Sequence, residues 1–239
     1  MTDILYNAAK SFKNLLKYDY HFVLGDSKRQ KTFSIISNEK EMFTHICGID
    51  HLRDIAAVTA KRLDEKAAIF KNILRKKIKY SDIVHSKYLH TNMSNRNNPH
   101  TNSPYTIEDR IIHLSNIENI LDNSFKGKIY KWTGGKTSNR NCKIQADYLL
   151  TIPSDVSHKE KYYFFLVKVN NNNDKSIPIK TKIISAFADS EDLTVNLANP
   201  YTILELSKIE IKTNTTIFTQ TYPSYQKEKD EADKKLITV

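Results

Sequence analysis

The hydrophobic period of this chain changes part-way along, and that change limits what it can fold into. Through residue 121 apolar side chains recur at three- and four-residue intervals, and from residue 128 onward they alternate. The first spacing gives a helix one apolar face, and the second gives a strand one apolar side. Ile4, Leu5, Ala8, Ala9, Phe12, Leu15 and Leu16 form the first helical stripe, with Thr2 as N-cap. Tyr20 to Leu24 and Thr32 to Ile36 are β-rich runs around Gly25-Asp26-Ser27-Lys28, which predicts a hairpin. Asn38 with Glu41 three residues on resembles a capping box, starting a short helix through Met42, Phe43 and Ile46 that breaks near Gly48. Residues 54–77 lack Gly and Pro and place Ile55, Val58, Leu63, Ala67, Phe70, Ile73 and Leu74 at helical spacing. Ser81 is read as the cap of a further short helix carrying Ile83, Val84 and Tyr88. Thr106-Ile-Glu-Asp109 opens a last helix through Ile111, Leu114, Ile117 and Leu121.

Strands are predicted at Lys128 to Trp132, Cys142 to Ile152, Lys161 to Val169 and Thr181 to Ala188, with Tyr201 to Ile211 as a further candidate. Short links make them antiparallel neighbours, and Gly134-Gly135-Lys136, which lacks the spacing of a phosphate-binding loop, is read as a hairpin turn. Helices first and a sheet second is the pattern of an α+β fold. The expectation is therefore N-terminal helices with a small hairpin, packed on a C-terminal, mainly antiparallel sheet of four to five strands. Residues 1–212 are read as a single domain and 213–239 as a charged tail. Thr91 to Tyr105, with five Asn, two Pro and almost no apolar residues, is read as a mobile loop.

Charge narrows the partners. The 239 residues carry 37 Lys and Arg against 27 Asp and Glu, a net +10 that favours polyanions. Lys, Asn and Ile are also common in any product of an AT-rich genome, so distribution says more than the total. Eight cations between residues 55 and 80 face only Asp64 and Glu65. Lys71, Arg75, Lys76, Lys77 and Lys79, together with Lys131 on the first predicted strand, are the candidate nucleic-acid contacts. No run reaches the roughly 18 apolar residues of a membrane-spanning helix, and Met1 to Leu16 is amphipathic rather than a signal peptide. A cytoplasmic address is expected, with no membrane partner. Cys47 and Cys142 form no CxxC or Cys/His cluster, which predicts reduced thiols, no structural zinc and no cofactor.

Three sets of residues carry a resemblance: Phe43-x-His45-Ile46-x-Gly48-Ile49-x-x-Leu52-x-Asp54-Ile55, Arg110-Ile111-x-x-Leu114-x-x-Ile117-Glu118, and Ile144-x-Ala146-Asp147-Tyr148-Leu149-Leu150. Tyr162 to Leu166 and Ser185-x-Phe187 follow. In this order they resemble the phage-associated nuclease-like domains grouped with barnase, EndoU, colicin D and RelE, in their fourth phage-type subfamily. The resemblance spans residues 8–190; a long basic helix and the Thr91–Tyr105 stretch depart from it. It implies a ribonuclease of phage or mobile-element origin that leaves a 2′,3′-cyclic phosphate.

Metal-free RNA cleavage needs a base for the 2′-hydroxyl, an acid for the departing 5′-oxygen and cations for the phosphorane. On the resemblance, His45 is the candidate acid or base, Arg110 the phosphate clamp and Ser185 a donor to a phosphate oxygen, with Asp147 orienting His45 or Arg110. Each has a plainer reading: His45 as a packing residue among Phe43, Ile46 and Ile49, Arg110 as the partner of Asp109, and Ser185 as a backbone satisfier. Asp147 within a strand needs a partner whatever its role. His51 follows His45 by six residues, which on a continuous helix puts the two on different faces and argues against a metal pair. The expected function is a metal-independent endoribonuclease on structured or transfer RNA, held in check by an inhibitor protein. Its rivals are a non-catalytic nucleic-acid-binding module and a factor that binds a phage or host protein.

Overall fold

The computed structural model describes residues 3–25, 30–90, 106–132, 144–154, 160–169, 178–189, 192–194 and 197–237. The expected mobile loop, the turn at Gly134 to Lys136, and Cys142 lie outside them. Helix α1 (Ile4–Leu15) buries Leu5, Ala8, Ala9, Phe12 and Leu15, the predicted stripe. Its N-cap is Asp3, whose carboxylate accepts from the Tyr6 amide at 3.0 Å. The hairpin is present as β1 (Tyr18–Gly25) and β2 (Gln30–Ile35), with Tyr20 opposite Ile35. Helix α2 (Met42–Ile46) follows without a side-chain cap: its N-cap position is Glu41, beyond reach of Asn38, whose side-chain amide donates to the Ile183 carbonyl at 2.8 Å.

The long helix expected over 54–77 is shorter: a 3₁₀ turn at Ala56–Val58 precedes α3 (Leu63–Leu74). Glu65 accepts from the amides of Lys61 and Arg62 at 2.8 and 3.1 Å, which fixes the start of α3 at that point. At its other end Lys76 adopts φ 57°, donating to the Ile73 carbonyl while Lys77 donates to that of Asn72. That pair of bonds is a Schellman motif with lysine where glycine is usual. Lys76→Gly is therefore expected to raise stability by about 0.5–1 kcal/mol, read as a higher urea midpoint at unchanged slope. The Thr106–Asp109 box is formed, and it starts α4 (Ile107–Leu114); the chain turns at Ser115–Asn116 into a separate α5 (Ile117–Asp122).

The sheet departs from the expectation. Besides β1 and β2 it contains β3 (Lys128–Lys131), β4 (Tyr148–Pro153), β5 (Lys161–Lys168), β6 (Ile179–Asp189), β7 (Tyr201–Glu210) and β8 (Thr215–Thr221). The order β1-β2-β6-β5-β4-β3-β7 returns to β1, closing a seven-stranded barrel from which β8 extends along β7. The expected four- to five-stranded antiparallel sheet with a separate hairpin is thus replaced by an eight-stranded mixed one. The hairpin is built into the wall: β2 runs parallel to β6, and β1 lies antiparallel to β7 from Tyr18↔Glu210 to Gly25↔Thr202. The reason is hydrogen bonding. Both outer edges of an isolated hairpin expose unpaired amides and carbonyls, and closure pairs them.

Alternation sorts the strand side chains into two clusters. Leu150, Ile152, Phe164 and Leu166 join α1, α2, α3, α4 and α5 in the main core, while Leu149, Tyr163 and Phe165 pack with Trp132 and Leu193 in a second. Phe12, Phe43 and Phe70 meet at centroid distances of 4.9–5.9 Å and bind α1, α2 and α3 together. Beneath α5, Lys208 of β7 is buried between Glu118 at 2.8 Å and Asp122 at 2.9 Å. The hydroxyl of Tyr20 donates to the same Asp122 at 2.6 Å. The charged C-terminal segment forms α6 (Pro223–Ile237), tied back by Lys229 to Glu205 at 2.8 Å. No helix among the described residues is long and apolar enough to cross a membrane.

Candidate active site

The turn after α2 places the chemistry. Gly48 stands at φ 81°, a left-handed conformation that glycine takes without steric cost, and it stops α2 and starts a 3₁₀ turn over Ile49–His51. The reversal folds His51 back toward His45, with ring centroids 6.4 Å apart. The helical spacing that would have separated these rings does not apply, because the helix ends between them.

Asp50 lies between the two. Its Oδ2 is 3.3 Å from His45 Nδ1 and 3.1 Å from Lys66 Nζ on α3, and its Oδ1 is 3.6 Å from His51 Nε2. The carboxylate is only 11% exposed against 48% for the His45 side chain, so the acid is fixed and the imidazole faces solvent. Burial alone would raise the pKa of Asp50. The His45 hydrogen bond, the charge of His51 and the Lys66 ammonium outweigh it and hold Asp50 below the usual carboxylate range. An ionised acid braced by three cationic or cation-forming groups is a device for orienting imidazoles.

Arg110 of α4 adjoins this turn. A Cβ built on Gly48 would lie 3.5 Å from Arg110 Cδ and 3.4 Å from Ile107, so the turn rests on the arginine stem. The Cys47 thiol is pushed up chiefly by burial, with Asp50 adding to the shift and Arg110 opposing it, so both charges act on one buried group. The guanidinium lies 5.3 Å from the Phe187 ring centroid, over its face. It lines a small, mainly apolar cleft with Ile46, His113, Tyr162, Ala186 and Phe187. His113 packs edge-on to Tyr162 at 5.4 Å, and burial lowers its basicity, so a neutral ring shares the cleft with the arginine. Ser185 is buried on β6 opposite Phe165, next to the cleft-lining Ala186.

Arg110 thus adjoins the turn that follows His45, while Ser185 stands on β6 next to a cleft-lining residue and does not itself line the cleft. Asp147 is used differently: its carboxylate accepts from the Lys168 amide at 2.7 Å and its own amide donates to the Leu166 carbonyl, so it ties β4 to β5. Sequence reasoning sets His51 apart from His45 and gives Asp50 and Lys66 no role at the site. The signal was Gly48, whose role as a helix stop brings residues six apart into contact. Lys71, Arg75, Lys76, Lys77 and Lys79 are all exposed, continuing from Lys66 along α3 and past its end; Lys131 is exposed on β3. At about 1.5 Å rise per residue, Lys66 and Arg75 are separated by about 14 Å of helix axis, the span of two or three phosphates.

Comparison with known families decides the kinship. Residues 4–224 match the family described as phage-Barnase-EndoU-ColicinE5/D-RelE like nuclease 4. The chain belongs to this nuclease family. No curated protein and no solved structure gives a match. The match takes in every strand and all of the candidate site, so the turn at His45–His51 and the cleft at Arg110 are parts of a phage-type nuclease domain.

Proposed function

We propose that the chain is a metal-independent endoribonuclease of phage or mobile-element origin, with its active site at the His45–Asp50–His51 turn. The observation that carries this reading is the pair of imidazoles 6.4 Å apart on one half-buried carboxylate. Strand cleavage by the ribose itself needs two proton transfers at once. One neutral ring takes the 2′-hydroxyl proton as that oxygen attacks phosphorus, and the protonated ring gives a proton to the 5′-oxygen as its bond to phosphorus breaks. The products are a 2′,3′-cyclic phosphate and a free 5′-hydroxyl. Lys66 and Arg110 supply the cations for the phosphorane, Arg110 through its planar fork and Ser185 through a hydroxyl donor. The exposed lysines of α3 guide the phosphate backbone of a structured RNA, transfer RNA included, toward the turn. Such an activity endangers the cytoplasm that makes it, so an inhibitor protein belongs to the proposal.

Incubation of the purified chain with end-labelled total RNA in EDTA tests it. Cleavage with cyclic-phosphate ends is the expected result. Salt-sensitive retention of intact RNA would instead identify a binding module, and capture of an acidic protein from nuclease-treated extract without RNA cleavage would identify an interaction factor.

A further inference from the structure

We infer that His45, Asp50 and His51 form a binding site for a transition-metal dication of the zinc class, and that its occupation is an off-state of this turn. The three residues can each present one ligand atom with all three lying within 4.8 Å of one another. A tetrahedral ion with bonds of about 2.0–2.1 Å holds its ligands about 3.3–3.4 Å apart. His45 Nδ1 is 3.3 Å from Asp50 Oδ2 and His51 Nε2 is 3.6 Å from Asp50 Oδ1, so each ring lies near that edge length from a different oxygen of the carboxylate. Holding one ion requires the rings to close on it, and the His45 side chain, 48% exposed, has room to turn. Two nitrogens and one oxygen are a donor set suited to zinc, cobalt or nickel rather than to calcium or magnesium, which prefer oxygen.

A second observation points the same way. Asp50 Oδ1 is buried and makes no hydrogen bond, while its contact with His51 at 3.6 Å is a loose one. A buried carboxylate oxygen without a hydrogen bond costs free energy that a bound cation would recover. Lys66 is the competitor: its ammonium, 3.1 Å from Oδ2, occupies the charge of Asp50 and must step aside when a dication enters. The ion therefore replaces one lysine contact and takes both imidazoles in neutral form, releasing any proton they carry. On the ribonuclease reading, which this consequence rests on, a ring bound to metal can neither take nor give a proton, so zinc stops cleavage.

Cobalt(II) titrated into the untagged protein above pH 7, followed by its visible d–d bands, tests the site without RNA. The expected result is saturable one-to-one uptake, displaced by zinc. Affinity should fall at least about tenfold in His45→Ala and in Asp50→Asn, stay unchanged in His90→Ala, a control for surface imidazoles, and rise in Lys66→Met. Far-ultraviolet circular dichroism checks that each variant is folded. Absence of the bands, or a titration that Asp50→Asn and His45→Ala both leave unaltered, overturns the site. Cobalt binding by a protein that fails to cut RNA in EDTA upholds the metal site and removes the ribonuclease reading alone, whereas EDTA-resistant cleavage with no metal uptake does the reverse.

Discussion

His45→Ala is expected to lower RNA cleavage by about 10²- to 10⁴-fold, the usual loss when one partner of an acid–base pair is removed, with little change in stability. The side chain is half exposed and its contact with Asp50 is long at 3.3 Å, so its removal neither opens the core nor strands a buried proton donor. Single-turnover rates on a defined RNA, beside a urea melt of the same preparation, separate the two effects. Asp50→Asn is expected to give a smaller loss, because both rings remain and only the carboxylate that orients them is changed. Stability has its own sign. The pKa of Asp50 is lowered in the fold, so its contribution is present above the unfolded value near pH 4 and is lost as pH falls through the folded one. The stability gap between wild type and Asp50→Asn should therefore close in acid. An equal gap at neutral and strongly acid pH would contradict the geometry.

Lys208→Met is expected to cost about 3–5 kcal/mol, the range for breaking a buried ion pair by removing one member. The lysine is 4% exposed and holds Glu118 at 2.8 Å and Asp122 at 2.9 Å, while the rings of Tyr18 and Tyr20 lie 4.4 and 5.6 Å from its ammonium. Burial alone would lower its basicity, but the two carboxylates outweigh burial and raise it, so the lysine stays charged in the fold. Without it two carboxylates four residues apart on α5 face each other beside apolar β7. The urea midpoint should fall accordingly, and Lys208→Met combined with Glu118→Gln and Asp122→Asn should regain most of the loss. A single variant as stable as wild type would show that α5 is held by its apolar face alone, through Ile117, Ile120 and Leu121.

Particular elements show how far the sequence could be read. The α1 stripe, the β1–β2 hairpin and the Thr106 capping box are set by neighbours within four residues or by an adjacent turn, and all three were legible. Asn38 has the spacing of a cap and is not one: α2 starts only at Met42, and the Asn38 side-chain amide binds the Ile183 carbonyl of a barrel strand 145 residues away. The separation of α4 from α5 was equally hidden, since one apolar stripe runs through both. At the site, the resemblance placed His45, Arg110 and Ser185 without saying how they meet. His51 was set aside on a helical spacing that Gly48 had already interrupted, so the residue needed to find it was in plain view.

What the sequence by itself determined was the local grammar: which segments bury one face at a 3.6-residue period, which alternate, where glycine must reverse the chain, and that the cations gather between residues 55 and 80. These follow from side-chain spacing and backbone sterics, which act over a few residues. The tertiary structure alone decided that the hairpin edges close on β6 and β7 and that Lys66 of α3 and Arg110 of α4 meet the Gly48 turn. Backbone hydrogen bonds and buried charge are satisfied by whichever partner the finished fold brings within reach, and that choice carries no mark in the order of the residues.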